Sequence, residues 1–226
     1  MAIELTIDTA SDYAGLALTD GGRLIHERVW YCRRRHSAEV LPAIDDLLRT
    51  NDVGRSDLGT VIACTGPGSY TGLRVGITLA KTLAYALHLP AVGVPRLLAD
   101  AATYRGQAGS VCAVHRAGRS DLAVAVYGRQ GHDPMAEVSA PRLLPLSQLA
   151  DSLPVGCAVV GEVPEELVAG LEEAGHEVIA GLGGQRRPSI VARLGLAAIE
   201  AGAEVDPQAL LPIYLRAAVQ SAPTEP

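Results

Sequence analysis

A glycine-rich turn is the segment whose residue types and spacing could do chemistry. Residues 66–76 read GPGSYTGLRVG. The apolar residues 61–65 predict a short buried strand before the turn, and residues 73–88 predict a helix after it. A turn in this position points backbone N–H groups and the positive end of a helix dipole at whatever lies above it, which favours anion binding. The alternative is a tight turn that packs a helix onto its sheet.

The turn lacks the marks of two common phosphate sites. A Walker A motif would end in Gly-Lys-Ser/Thr, whereas residues 71–73 read Thr-Gly-Leu and Lys81 is the one lysine of the chain. The spacing of Gly66, Gly68 and Gly72 also differs from the Gly-x-Gly-x-x-Gly dinucleotide fingerprint. The turn therefore predicts neither of these two sites.

The other reactive residue types form no recognised catalytic or metal site in the sequence. There is no Gly-x-Ser-x-Gly elbow, and the six histidines include no His-x-x-x-His or His-Glu-x-x-His pair. The acidic pairs 45–46, 165–166 and 172–173 fall on predicted helices, where neighbouring side chains point about 100° apart. We therefore expect no catalytic residue and no metal ligand.

Composition indicates a soluble, cytoplasmic α/β protein. The 226 residues are 48% hydrophobic, which is enough to bury a core without cross-links. The four cysteines stand singly, as in a reduced chain, and neither a membrane span nor a signal peptide is expected. A net charge of −6 argues against nucleic-acid binding through the overall field. The local cluster of Arg33, Arg34 and Arg35 could contact RNA, contact an acidic partner, or be a solvated loop.

Periodicity predicts two lobes and a returning helix. The first, residues 1–106, has the order βββαβαβ, with a helix at 37–49 capped by Ser37. The second, residues 107–188, is smaller and contains a Pro- and Leu-rich linker at 140–145. Residues 189–226 form a helix and a tail that we expect to return to the first lobe.

The predicted helix 73–88 is apolar on more than one side. Val75, Leu79 and Leu83 form one stripe, while Ala80 and Ala84 lie elsewhere on the helix. Such a helix needs two neighbours. Burial in the core on both sides and contact with another chain are both consistent with this pattern.

Asp8 ends the first predicted strand and is followed by Thr9 and Ala10. This turn resembles the first phosphate loop of the actin, hsp70 and sugar-kinase superfamily, where an aspartate handles Mg²⁺ and a glycine lets the backbone approach phosphate. Here Ala10 stands at the glycine position, and its Cβ would crowd a phosphate. We predict a degraded site in which Asp8 is either structural or metal-binding.

Four segments together resemble the bacterial TsaB (YeaZ) family from end to end. They are residues 66–76, 7–10 (IDTA), 36–42 (HSAEVLP) and 212–216 (PIYLR). The resemblance implies an actin-like ATPase fold of the ribonuclease H-like class, with two lobes of which the second is reduced. It also implies a non-catalytic role in the biosynthesis of threonylcarbamoyladenosine, the modified adenosine beside the anticodon of certain tRNAs.

The resemblance also implies the partners of the chain. They are TsaE and the paralogue TsaD, which performs the chemistry. The resemblance also implies that the chain forms a homodimer when it is alone and reaches tRNA only through the complex. No cofactor is expected, although residual nucleotide binding stays open. TsaD holds a metal through His-x-x-x-His, and Arg96 and Asp100 stand at the corresponding spacing here.

Two sets of candidate residues follow from the resemblance and the patterns above. The vestigial phosphate loops are expected at Asp8, Thr9, Gly66, Gly68, Ser69, Thr71 and Gly72. The partner interface is expected on two helices, at Val40, Leu41, Ile44, Val75, Leu79 and Leu83. Residues 114–119 depart from the family pattern. The alternative functions are a small-molecule kinase of the same superfamily and a glycoprotease-like peptidase.

Overall fold

The computed structural model describes residues 2–104, 106, 108–130, 133–179 and 186–215. In chain order, the first part of the chain contains β1 (Ile3–Asp8), β2 (Tyr13–Asp20), β3 (Arg23–Tyr31), α1 (His36–Thr50), β4 (Leu58–Gly66), α2 (Tyr70–Leu87), β5 (Ala91–Pro95) and α3 (Arg96–Ala101). The second part contains β6 (Ser110–Arg116), β7 (Asp121–Gln130), β8 (Asp133–Pro145), β9 (Ala158–Gly161), α4 (Glu165–Glu173), β10 (Glu177–Ile179) and α5 (Pro188–Glu200).

The strands form two mixed five-stranded sheets. The first has the order β3-β2-β1-β4-β5, in which β1 to β3 are antiparallel and β1, β4 and β5 are parallel. The second has the order β10-β9-β6-β7-β8, with a parallel half and an antiparallel half. The first sheet agrees with the βββαβαβ order that the sequence predicts.

Both faces of the first sheet are covered. Along β1, Leu5 and Ile7 point to one face and Thr6 and Asp8 to the other, and all four are buried. Helices α1 and α2 pack on the Leu5 face, while α5 packs on the face of Thr6 and Asp8. Gly195 permits this second contact, because a Cβ there would lie 2.6 Å from Cγ2 of Ile62.

Several sequence-based boundaries were wrong. The expected linker at 140–145 belongs to β8, an edge strand whose irregular register accommodates proline. Helix α1 begins at His36 rather than after a Ser37 cap, and Arg35 is its N-cap. Helix α2 begins at Tyr70, three residues earlier than predicted, because Ser69 caps it by accepting the N–H of Gly72.

The second sheet carries its own apolar cores. One cluster on it includes Val114, Val124 and Leu171, and another includes Leu97 of α3 with Ala113 and Val160. Helix α3, which the sequence analysis did not predict, therefore joins the two sheets. All four cysteines are free and buried. No helix in the described part of the chain combines the length and the apolar character needed to cross a membrane.

Candidate functional site

The glycine turn packs tightly against the turn that follows β1. A Cβ at Gly68 would clash with the carbonyl oxygen of Ala10, one at Gly72 with the carbonyl oxygen of Thr9, and one at Gly76 with the Thr9 side chain. These three glycines therefore let α2 approach residues 8–10 closely.

Hydrogen bonds join the same two turns. The Ser69 N–H donates to the Ala10 carbonyl at 2.9 Å, and the Thr9 hydroxyl donates to the Gly72 carbonyl at 2.8 Å. Gly66 has φ +98°, and its neighbour Thr65 accepts the N–H of Ile213 at 2.8 Å. One backbone donor of the turn, the Ser69 N–H, is thus already occupied by the protein itself.

A buried arginine lies between two buried aspartates at the floor of the cleft between the sheets. Arg186 donates through Nε to Asp8 Oδ2 at 2.5 Å and through Nη2 to Asp8 Oδ1 at 3.1 Å. Its Nη1 donates to Asp100 Oδ1 at 2.6 Å. The side chains of all three residues are 5% exposed or less, so one guanidinium pairs with buried carboxylates from both β1 and α3.

A second buried arginine extends this cluster to the other sheet. Arg96 donates to the Ala10 carbonyl at 3.1 Å and to Asp100 Oδ2 at 3.3 Å. Its Nη2 lies 2.5 Å from Glu162 Oε1, and Glu162 Oε2 lies 2.9 Å from His115 Nδ1. We call Asp8, Arg96, Asp100, Glu162 and Arg186 the cleft cluster.

The charges of the cleft cluster are mutually stabilised. Burial raises the pKa of Asp8, but the charge and hydrogen bonds of Arg186 outweigh burial and hold that pKa below its ordinary value. Burial lowers the pKa of Arg186, yet Asp8 and Asp100 hold it well above the usual value. Burial also raises the pKa of Glu162, but Arg96 and His115 lower it more strongly. Burial and Arg96 together lower the pKa of His115.

Two cavities open around this cluster. The larger, about 640 Å³, lies above Asp8 and Arg186 and is walled by Tyr13, Tyr31 and Arg116. The second, about 470 Å³, lies between the glycine turn, residues 115–118 and the C-terminal segment 213–215. Tyr70 and Tyr214 meet beside it with ring centroids 5.2 Å apart.

A third concavity, of about 440 Å³, is a groove between α1 and α2. It is lined by His36, Ser37, Leu41, Arg74, Val75, Thr78, Leu79 and Thr82. The groove faces solvent and does not touch the cleft cluster. We call it the helix groove.

Comparisons with known proteins agree with this architecture. The family model described as "TsaD: tRNA N6-adenosine threonylcarbamoyltransferase" matches residues 31–141. The TsaB protein of Bacillus subtilis is 37% identical over 123 residues, 54% of each chain. Escherichia coli TsaB is 36% identical over 94 residues, 42% of this chain and 40% of the relative. The chain thus spans about half the length, or less, of these relatives.

Two solved structures from Pseudomonas aeruginosa cover nearly the whole chain. One, described as similar to peptidase YeaZ, has a TM-score of 0.79 at 26% identity and covers 96% of this chain and 100% of its own. The other, described as YeaZ, has a TM-score of 0.76 at 25% identity and covers 95% of this chain and 100% of its own. In sequence and in fold, the chain is similar to the TsaB (YeaZ) proteins. The predicted α/β fold is confirmed, and it is the fold of these two YeaZ structures.

Five of the seven predicted phosphate-loop positions lie together in this structure. Asp8, Thr9, Gly68, Ser69 and Gly72 meet where the β1 turn contacts the glycine turn. Gly66 ends β4, and Thr71 lies exposed in the first turn of α2. Their assignment as vestigial phosphate loops stays a prediction.

The six predicted interface positions divide by exposure. Val40 and Ile44 are buried in the core of the first lobe and are not available to a partner in this conformation. Leu41 is 53% exposed, and Val75, Leu79 and Leu83 are half-buried. Leu41, Val75 and Leu79 line the helix groove. An interface on this surface would therefore be centred on these three residues.

Sequence reasoning missed Arg186 and Glu162. It singled out Arg96 and Asp100 by their spacing, which is also that of an i,i+4 ion pair on a helix. Arg186 is 178 residues from Asp8, so no local pattern connects them. The one available signal was an arginine pair at 186–187 directly before a helix.

Replacement of Arg186 tests the cleft cluster. Arg186→Ala leaves Asp8 and Asp100 buried without this partner, so we expect the free energy of unfolding to fall by about 3–5 kcal/mol. Arg187→Ala is the matched control, because Arg187 is largely exposed and pairs with Glu27 at the surface; we expect a loss below about 1 kcal/mol. Urea unfolding measures both. Equal losses would contradict a stabilising role for the cluster.

The contribution of Asp8 to the pH dependence of stability should change sign in the same variant. In the native chain the pKa of Asp8 is lowered on folding, so its contribution is present above the unfolded pKa, near 3.8, and is lost as pH falls through the folded value. Stability should therefore decrease on acidification below about pH 5. In Arg186→Ala, protonation of Asp8 relieves an unpaired buried charge, so its contribution should increase instead. Parallel pH curves for the two proteins would contradict this account.

Gly68→Ala tests the packing of the glycine turn. The new Cβ would meet the Ala10 carbonyl, a backbone atom, so we expect a loss of about 1–3 kcal/mol in the free energy of unfolding. Gly170→Ala in α4 is the control, because a Cβ at that position would meet open space and helix propensity should add up to about 1 kcal/mol. If Gly68→Ala is as stable as the native chain, the glycine serves something other than packing.

Proposed function

We propose that the chain is a non-catalytic subunit of the cytoplasmic assembly that forms threonylcarbamoyladenosine in tRNA. It binds a TsaD-type transferase and, with it, TsaE. Similarity to the TsaB proteins supports this proposal, since these relatives are named as tRNA threonylcarbamoyladenosine biosynthesis proteins.

The observation that carries the non-catalytic part is the cleft cluster. Carboxylates at the floor of a cleft are natural ligands for a divalent cation. Here both Asp8 carboxylate oxygens accept hydrogen bonds from Arg186, and Asp100 is shared by Arg186 and Arg96. The residues present do not fit a metal, because two tethered guanidinium groups already neutralise these oxygens and Arg186 stays charged.

The glycine turn argues against the kinase alternative. Its Ser69 N–H is bonded to Ala10, and three of its glycines are explained by contact with residues 8–10. A phosphate group would have to displace this packing. The four cysteines do not favour the peptidase alternative, since burial raises the pKa of every one of these thiols, that of Cys64 to about 12 and that of Cys32 to about 11.

The helix groove supports the partner-binding part. Leu41 is more than half exposed, and it faces Val75 and Leu79 across a channel open to solvent. Both helices lie within residues 31–141, the range that matches the TsaD family model. A paralogue with the same two helices can pair with them pseudo-symmetrically, and a second copy of this chain can compete for the same face.

A charge placed in the helix groove tests this function. Leu41→Glu should weaken binding to the TsaD-type transferase by at least about 30-fold, because an unpaired carboxylate would be desolvated in the contact. Isothermal titration calorimetry measures pairing, and tRNA modification by the reconstituted mixture measures the consequence. We expect no modification from the chain without the transferase.

Leu24→Glu is the matched control, since Leu24 is 40% exposed on β3, away from the groove. It should pair and support modification like the native chain, and circular dichroism should show both variants folded. Normal pairing by Leu41→Glu would exclude the groove as the interface. Transfer activity by the isolated chain would contradict the non-catalytic role.

A further inference from the structure

Two exposed tyrosines form one wall at the mouth of the larger cavity. Tyr13 and Tyr31 are opposite each other in the β2–β3 register, with ring centroids 5.2 Å apart and planes tilted by 56°. They are 40% and 57% exposed. Val29, on the same face of β3, continues this wall and is 38% exposed. Aromatic faces this accessible are costly to leave in water and suit a planar ligand.

Two arginines follow Tyr31 closely in the chain. Arg33 and Arg34 are exposed in the turn between β3 and α1. Hydrogen bonds from Cys32 N–H and Arg33 N–H to the Asp12 carbonyl, at 2.9 and 2.7 Å, hold this turn at the cavity mouth. Arg33 has φ +54°, an uncommon conformation for a residue with a side chain.

These two arginines differ from their neighbours in their pairing. Arg35 pairs with Glu39 at 3.0 Å, and Arg28 and Arg49 both pair with Asp46. Within the described part of the chain, neither Arg33 nor Arg34 forms an ion pair. Their charges are therefore available to an external anion.

The opposite wall of the mouth adds a third arginine. Arg116, at the end of β6, lines the same cavity and pairs at the surface with Glu166. The cavity is also lined by acidic residues, Asp12 and Glu162 and, in the cleft cluster, Asp8 and Asp100. We call Tyr13, Tyr31, Arg33, Arg34 and Arg116 the cleft rim.

We propose that the cleft rim binds unpaired nucleotides of an RNA loop, with a base on the tyrosines and phosphates on Arg33 and Arg34. An acidic protein segment would pair with the arginines but leave the tyrosine faces without a partner. Unpaired RNA supplies both groups, because its phosphates are anionic and its splayed bases stack on aromatic side chains. This inference rests on the proposed function for one point alone, namely that the RNA is a tRNA.

Direct contact with tRNA differs from the expectation that this chain reaches tRNA only through its partners. The net charge of −6 opposes long-range attraction, so the contact should be local and short-lived in the isolated chain. Within the assembly, the partner would hold the tRNA nearby, and the cleft rim would position one of its loops.

Fluorescence anisotropy with a labelled tRNA anticodon stem-loop tests the cleft rim, using the chain alone and the chain mixed with the transferase. Arg33→Ser/Arg34→Ser should weaken binding and reduce the slope of log K against log salt by about 1.4, or about 0.7 per lost phosphate contact. Tyr31→Ala should weaken binding about 5- to 100-fold, while Tyr31→Phe, which keeps the ring, should bind normally.

Arg23→Ser/Arg55→Ser is the charge-matched control. Both residues are exposed and pair with surface carboxylates away from the cavity mouth, so binding should equal that of the native chain. Polyglutamate and a fully paired RNA stem are the comparison ligands, and both should bind more weakly than the stem-loop. Equal binding of polyglutamate would identify an acidic-protein site instead.

The outcomes separate this inference from the proposed function. If the cleft-rim variants bind RNA like the native chain, or if no RNA binding occurs with or without the transferase, the inference is overturned. Pairing that is sensitive to Leu41→Glu would then still support the proposed function. If the native chain does not pair with the transferase but binds RNA, and the cleft-rim variants bind RNA more weakly, the proposed function fails and the RNA site stands.

Discussion

The guanidinium of Arg186 is the constraint on which the cleft of this protein depends. It donates three hydrogen bonds of 2.5 to 3.1 Å to Asp8 and Asp100, whose side chains are both buried at the base of the larger cavity. Removal of one member of such a buried cluster is strongly destabilising, since it leaves the other charges unpaired in a low dielectric. The floor of the cleft is therefore permanently occupied by the protein's own cation.

Because Arg186 occupies the cleft floor, the surfaces available for interaction lie outside it. A cleft whose floor carries satisfied charges has little electrostatic affinity left for a metal–phosphate ligand. Two surfaces outside the cleft floor are the helix groove, which is mostly apolar, and the cleft rim, which carries tyrosines and the exposed Arg33 and Arg34. The two surfaces suit different partners, because one offers desolvated packing and the other offers stacking and phosphate contacts.

The sequence predicted those parts of the structure that depend on local patterns. The strands of the first sheet and helices α1 and α2 follow from alternation and helical spacing, and the resemblance to the TsaB proteins follows from the glycine turn. Helix α3 has six residues, too few for a periodic signal, and β8 is interrupted by prolines and register shifts. The Asp8–Arg186 contact joins opposite ends of the chain, so it depends on how α5 returns to the first sheet. Burial of Val40 and Ile44 likewise depends on tertiary packing.

The turn after β1 connects the buried charges to the interface helix. The Ala10 carbonyl accepts hydrogen bonds from both Arg96 and Ser69, so a single oxygen joins the cleft cluster to the N-cap of α2. Thr9 adds a bond to Gly72 within the same helix. Because Gly68, Gly72 and Gly76 remove every Cβ from this contact, α2 cannot shift without disturbing residues 8–10. The glycine turn thus connects the cleft cluster to α2, one of the two helices that form the helix groove.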